Sequence, residues 1–265
     1  MVIKTIMGKR LWIKKLKFNV GPYNEIKREI VELITRRKSV IVLACSLHDV
    51  AIAASYPHAM NYYRKVDMCT TDGMFLVWFV MIRTWHNVER VYGADLMKSL
   101  LVDTQGDRFT HVFCGSSPDR LKLLIDKIKI IAPNARVAGS FTPKIELQET
   151  KEERVCLQQI IAHKPSVLWL GISSPKQVAL AARWKKYFPQ TTIICVGAAF
   201  DLVSGALPSA PAWMQRAGFE WLFRLLIEPR RLYKRYLFII PTFLAHELVE
   251  SVKVWKARFH YRLLH

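Results

Sequence analysis

A chain of 265 residues is long enough for one α/β domain of ordinary size and an appendage. Its 51% hydrophobic content excludes a disordered polymer, and a formal net charge of +19 implies an anionic partner: nucleic acid, anionic lipid or a phosphorylated substrate. The five cysteines are odd in number, widely spaced and without CxxC, so they read as reduced packing residues in a reducing compartment rather than as a disulfide framework.

In chain order, residues 1–20 alternate apolar (Leu11, Ile13, Leu16, Phe18) and basic side chains, the pattern of an edge strand or short hairpin, which Gly21-Pro22 breaks. Residues 24–36 form a helical pattern with Ile26, Ile30, Val31 and Ile34 on one face. A buried strand over 39–45 follows, then a helix to about Lys65 for which Asp49 is the expected N-cap. A short strand over 66–70 delivers Thr71-Asp72-Gly73 to its carboxyl end. The helix after it, 74–85, is apolar almost all round and is expected to be buried. A loop over 90–96 opens a helix over 94–103. Strands are expected over 110–115 and 136–139, helices over 119–132 and 149–163, and two more buried strands over 166–171 and 191–197 flank a helix over 175–187. This alternation without repeats predicts an α/β fold, a doubly wound, mostly parallel Rossmann-like sheet.

From Pro211 the strands cease, and Pro229 and Pro241 punctuate three helical pieces. The last, 242–265, sets Phe243, Leu244, Leu248, Val252, Trp255, Phe259 and Leu263 at three- and four-residue steps among Lys253, Lys256, Arg258 and Arg262, a basic amphipathic helix. The expected organisation is therefore an α/β domain over 1–208 and a helical basic appendage over 209–265. The longest apolar run, 73–82, is far short of the roughly 20 residues of a spanning helix. The basic N-terminus lacks the apolar region of a secretory signal. These features predict a cytoplasmic chain at the inner face of a membrane.

Ligands on open α/β sheets bind beyond the carboxyl ends of the strands, where helix N-termini offer free N–H groups to anions. The loops there are Gly171–Gln177 and Gly197–Asp201, both of small and polar residues. Asp72 has two readings on the residues alone: a cap for the following helix, or a carboxylate free for proton transfer. Arg90 stands near a helix start, an unfavourable place for a cation unless a ligand uses it. No DxD, HxxxH or cluster of aspartates offers a metal site. A dinucleotide-dependent oxidoreductase would need GxGxxG after the first strand, which is absent. A nucleic-acid-binding protein would show a recognition helix or RNP motif, and neither is present.

Three ordered motifs carry a resemblance: GxxSPKQ from Gly171, GxxFDxxSG from Gly197, and APxWMQxxGxEWxxRLxxEPxRLxxRYL from Ala210. Over about residues 20–240 the chain resembles the WecG/TagA/CpsF family of bacterial glycosyltransferases. The resemblance implies an inverting transfer of an N-acetylhexosamine, hexose or hexuronic acid from a UDP-sugar to a polyprenyl-diphosphate-linked glycan, with no cofactor and no metal. It implies Asp72 of TTDG as general base and Arg90 of RVYGADL, with Gly93, at the active site. It further implies Gly171, Lys176, Gln177, Gly197, Phe200 and Asp201 around the nucleotide sugar, with Gly115 on a neighbouring small-residue loop. It also implies that the appendage closes over the site and supplies Arg224, Arg231 and Arg235. Where the family has Thr-x-Asn after its first buried strand, this chain has Ala44 and Ser46, so that pair is either absent or replaced by Ser46 and His48, which leaves the sugar open; His48 also reads as a structural histidine. HDV at 48–50 and VYG at 91–93 look closer to the exopolysaccharide branch of the family. An anionic membrane surface is the further partner, nucleic acid is not, and a homo-oligomer is compatible with all of this.

Overall fold

The computed structural model describes residues 5–6, 10–84 and 88–249. Nine strands form one sheet: β1 (Thr5–Ile6), β2 (Arg10–Ile13), β3 (Leu16–Asn19), β4 (Val40–Cys45), β5 (Met68–Thr71), β6 (Gly106–Gly115), β7 (Ala135–Phe141), β8 (Val167–Gly171) and β9 (Thr192–Cys195). Their order is β1-β2-β3-β5-β4-β9-β8-β6-β7. Every neighbouring pair from β3 to β7 is parallel, and β1, β2 and β3 pair antiparallel at one edge. The N-terminal alternation thus resolves as a hairpin, β2–β3.

Helices cover both faces, as the near-continuous apolar runs of the central strands require. Leu168 and Leu170 of β8 face one core cluster, Val167 and Trp169 the other. One face carries α2 (Leu47–Ser55), α3 (Pro57–Tyr63), α4 (Met74–Thr84), α7 (Lys151–Ala162) and α8 (Lys176–Trp184). The other carries α1 (Tyr23–Thr35), α5 (Gly93–Asp103), α6 (Pro118–Ile131) and α9 (Ala199–Ser204). All five cysteines are buried free thiols.

The C-terminal segment continues as α10 (Ala212–Arg216), α11 (Glu220–Ile227), α12 (Pro229–Tyr233), a π-helical turn (Lys234–Ile239) and a helix, α13, over 240–249. It packs on the first face. Ile240 and Phe243 join that core, Trp221 meets Phe75 with ring centres 5.6 Å apart, and Lys14 at the β2–β3 turn pairs with Glu247 at 2.6 Å. Among the described residues no helix is long and apolar enough to cross a membrane.

Four local expectations are corrected. Asp49 is not the N-cap of α2: Ser46 is, and the Asp49 carboxylate accepts from the Ser46 N–H at 2.9 Å and Oγ–H at 2.6 Å, a reciprocal box closed from the third helical position. The helix expected to reach Lys65 breaks at Tyr56, because Pro57 cannot continue it and instead starts α3. Helix α4 is not buried all round; Trp78, Met81 and Ile82 are exposed on its outer side. Pro241 does not end a helix, since the wide π turn before it gives its ring room and the chain runs helically through to 249. The part of the amphipathic helix holding Val252, Trp255, Phe259 and Leu263 lies outside the described residues.

Candidate active site

Strand β4 leads through α2 and α3 to β5 on one side, whereas its other neighbour β9 arrives from β8. The loops at their carboxyl ends therefore splay apart, which opens a crevice there. Two cavities occupy it. One is walled by Asp72, Gly73, Met74, Phe75, Arg90, Tyr92, Glu220, Trp221, Arg224 and Tyr236. The second is walled by Ser173, Ser174, Gln177, Gly197, Ala198, Arg224, Arg231, Lys234 and Arg235. Ser46, His48, Asp72, Arg224 and Arg235 line both. The first is aromatic and the second cationic, with Asp72 at the junction.

Asp72 follows β5, and its N–H donates to the Cys45 carbonyl at 2.8 Å, which ties the loop to β4. Gly73, not Asp72, accepts the first helical bonds of α4 from Leu76 and Val77, with φ at +86°. That conformation suits glycine. It turns the helix away and leaves the Asp72 side chain in the cavity. Burial pushes the Asp72 carboxyl up to about 6; Glu220 adds to this, while Arg90, Arg224 and Arg235 oppose it.

The cations around it are held from several directions. Arg90 pairs with Glu220 and stacks over the Tyr92 ring at 4.1 Å. Arg235 donates to Ser46 Oγ at 2.9 Å. Arg224 lies 3.7 Å from Glu228, whose carboxylate also takes Arg231 at 2.5 Å. The Nε of Arg90, the Nε of Arg235 and the Nδ1 of His48 are buried without a hydrogen-bond partner. Buried polar atoms are ordinarily satisfied, so these orphans at a cavity wall mark where a polar ligand would bind. Burial, with Arg235 beside it, lowers His48 to about 4 despite Asp49, so its ring is neutral at pH 7. Asp49 titrates low because His48, Ser174, Ser46 and Arg235 outweigh the effect of its burial.

Of the residues singled out from sequence, Ser46, Asp72, Gly73, Arg90, Gln177, Gly197, Arg224, Arg231 and Arg235 come together on these walls. Gln177 is also a brace: its Oε1 accepts from Gly197 N–H at 3.1 Å and its Nε2 donates to Ser174 Oγ at 2.9 Å. The others stand behind the walls. Lys176 points outward to Glu146 at 2.6 Å. Asp201 accepts from Ser116 at 3.0 Å and pairs with Arg120 at 2.9 Å, joining the loops after β6 and β9. Phe200 is core and lies over Gly171, where a Cβ would meet its ring at 2.2 Å. Gly115 packs against the Gly171 carbonyl, and Gly93 against Ala44 and the Val196 carbonyl. Sequence reasoning missed Tyr92, Glu220 and Tyr236 as wall residues; for the last two the interleaving of aromatics with arginines after Pro211 was the available signal, and for Tyr92 its place two residues after Arg90. Among the described residues no group of three or more His, Cys, Asp or Glu could hold a metal ion.

The sequence model of the Glycosyl transferase WecG/TagA/CpsF family matches residues 11–257. The chain belongs to that family. Two of its relatives are both called N-acetylglucosaminyldiphosphoundecaprenol N-acetyl-beta-D-mannosaminyltransferase. The one from Bacillus subtilis (strain 168) is 27% identical over 168 residues, 63% of this chain and 63% of its own length. That from Bacillus spizizenii (strain ATCC 23059 / NRRL B-14472 / W23) is 28% identical over 186 residues, 69% of this chain and 70% of its own. The match to the first relative thus spans less than two thirds of that protein. The WecG/TagA/CpsF match covers the sheet from Leu11 of β2 onward and the C-terminal helices, so the crevice described above lies wholly inside it.

Proposed function

We propose that this protein is an inverting glycosyltransferase that moves a sugar from a UDP-sugar to a polyprenyl-diphosphate-linked glycan in cell-surface polysaccharide synthesis. One observation carries the reading. Three carboxylates line the two cavities, and two are committed: Asp49 to Ser46 and Tyr63, and Glu220 to Arg90. Asp72 alone among them has neither a side-chain hydrogen bond nor an ion pair among the described residues, and it lines both cavities.

The cationic cavity suits the donor. Its diphosphate would lie against Arg224, Arg231, Lys234 and Arg235, where guanidinium groups can bind phosphate bidentately. The aromatic cavity suits the acceptor sugar, whose apolar face would stack on Trp221. Asp72 takes the proton from the acceptor hydroxyl as its oxygen bonds to the anomeric carbon. The bond from that carbon to the diphosphate breaks, and the arginines stabilise the charge left on the leaving group. A single uncommitted carboxylate supports direct displacement, hence inversion.

The two Bacillus relatives are named for transfer of N-acetylmannosamine to an N-acetylglucosamine carried on diphosphoundecaprenol, which supports a lipid-linked acceptor here. The proposed organisation is a sheet domain through 208 and a basic helical appendage from 209 that closes the site and meets the cytoplasmic face of the membrane. The HDV and VYG segments support a role in exopolysaccharide synthesis, with a donor sugar drawn from N-acetylhexosamines, hexoses and hexuronic acids. The test is incubation with a panel of UDP-sugars and a short-chain lipid-diphosphate acceptor, in buffer with excess EDTA, with product mass and anomeric configuration as readouts. An added sugar of inverted configuration is expected. No product from any donor would overturn the proposal, and product only after adding a divalent ion would overturn the arginine-held diphosphate.

A further inference from the structure

The Arg90–Glu220 pair joins residues 130 positions apart, one on a loop of the sheet and one in the first turn of α11. Both side chains are largely enclosed, at 15% and 13% exposure, so their attraction is weakly screened. The groups facing Asp72 are Arg90 and Tyr92 from the loop after α4, Glu220 and Arg224 from α11, Arg235 and Tyr236 from the π turn, and His48 from α2. Arg90 is the most influential of the cations there, yet it forms no ion pair with Asp72. Its guanidinium is turned to Glu220 instead.

We propose that Glu220 is a positioning residue: by holding the Arg90 guanidinium it keeps the Asp72 carboxylate unpaired, so that seating α11 over the sheet arms the base. The proposal rests on the reading of Asp72 as general base given above. With α11 lifted, Asp72 would be hydrated and Arg90 free to turn to it, and both changes favour the ionised, weakly basic carboxylate. With α11 seated, Glu220 holds the Arg90 guanidinium in an ion pair and adds its own negative charge beside Asp72. The direction of each influence agrees, since burial raises Asp72 most, Glu220 raises it further and Arg90 lowers it. The Nε of Arg90 stays unpartnered in this arrangement, so the same guanidinium keeps a donor for a substrate oxygen. Basicity and closure would then be one event, and the protein would be a competent base only with its C-terminal helices in place.

The test is a carbon-13 titration of the Asp72 carboxyl in the full chain, assigned by its disappearance in Asp72→Asn, for the wild type, Glu220→Gln and Glu220→Asp. Hydrogen exchange over residues 212–239 and the pH profile of transfer are measured on the same preparations. The wild-type midpoint is expected near 6. Glu220→Gln should lower it by about one pH unit or more, and Glu220→Asp should leave it near the wild-type value. The acid limb of transfer should move with the midpoint, and the plateau rate in Glu220→Gln should fall about three- to tenfold as the base weakens. Exchange protection should be the same in all three proteins. An unmoved midpoint in Glu220→Gln overturns the proposal. So does a lowered midpoint accompanied by lost protection, because Glu220 would then be only an anchor for α11. The titration needs no turnover, so a protein that titrates as expected and transfers nothing refutes the transferase reading while leaving the hold of Glu220 on Arg90 intact.

Discussion

Asp72 illustrates how a group suited to chemistry strains the fold that holds it. Its carboxyl is raised to about 6 chiefly by burial, against an ordinary value near 3.8. Between those values the native state binds more protons than the unfolded chain, so stability rises as pH falls from 6 towards 4. Above 6 the buried charge opposes folding by an amount of order 2–3 kcal/mol. Replacement Asp72→Asn should therefore raise the melting temperature at pH 7 and have little effect at pH 4, read by calorimetry at both. The same variant should lose about two to four orders of magnitude in turnover. A variant that is neither more stable at pH 7 nor slower would remove both arguments. Asp72 was legible in the sequence because a buried strand ending in Asp-Gly places a carboxylate at the sheet edge and a turn beside it. Glu220 was not, since its partner is 130 residues away and only the packed structure brings them together. Lys176 and Asp201 lay in legible loops, but loop membership does not say which way a side chain points. One turns to Glu146 and the other to Arg120.

At the scale of elements, periodicity found every long helix and every strand from β3 onward, and the errors cluster where two rules compete. Ser46 and Asp49 both suit a helix start. The reciprocal box decided for Ser46 as cap, and in doing so it fixed Ser46 Oγ where Arg235 can donate to it. Pro241 ought to stop a helix, yet the π turn absorbs it, and that wide turn is the element that carries Arg235 and Tyr236 into the cavities. Arg235 thus uses one nitrogen to dock on α2 and keeps its Nε free. Lysine's three donors radiate from one nitrogen and do not reproduce that spaced, planar fork. Arg235→Lys is expected to lose about tenfold in kcat/KM for the donor, roughly 1.4 kcal/mol of transition-state binding, with a melting temperature close to that of the wild type. Steady-state kinetics against UDP-sugar concentration would show it; an unchanged kcat/KM would take Arg235 out of the diphosphate site.

Across the whole molecule, a charge of +19 is combined with large apolar side chains left exposed on several elements. Leu226, Leu237, Phe238 and Leu248 are exposed on the C-terminal helices and Ile82 on α4, with Arg230, Arg231 and Lys234 among them. An apolar surface edged with cations suits the interface of an anionic bilayer. Sedimentation with anionic vesicles should fall about tenfold or more for Leu237→Ser combined with Phe238→Ser, given about 1.5–3 kcal/mol for a large apolar side chain. Transfer to a short-chain, dispersed acceptor should stay the same. Equal sedimentation of the double variant would show that charge alone, or another surface, attracts the protein.

The strand order has a consequence for how the chain is made. Strand β9 is the last to leave the ribosome, yet it lies between β4 and β8 at the centre of the sheet. Until Thr192–Cys195 is available, the nascent protein can hold only two half-sheets, β3-β5-β4 and β8-β6-β7, each with a bare apolar edge. Such edges invite pairing with other chains, and closing them requires contacts between residues 40–43 and 192–195, a long-range step that slows folding. The crevice is walled by loops from both halves, so the same late insertion that joins the sheet also creates the site. A partly synthesised chain therefore has every strand but one and no place to bind a substrate.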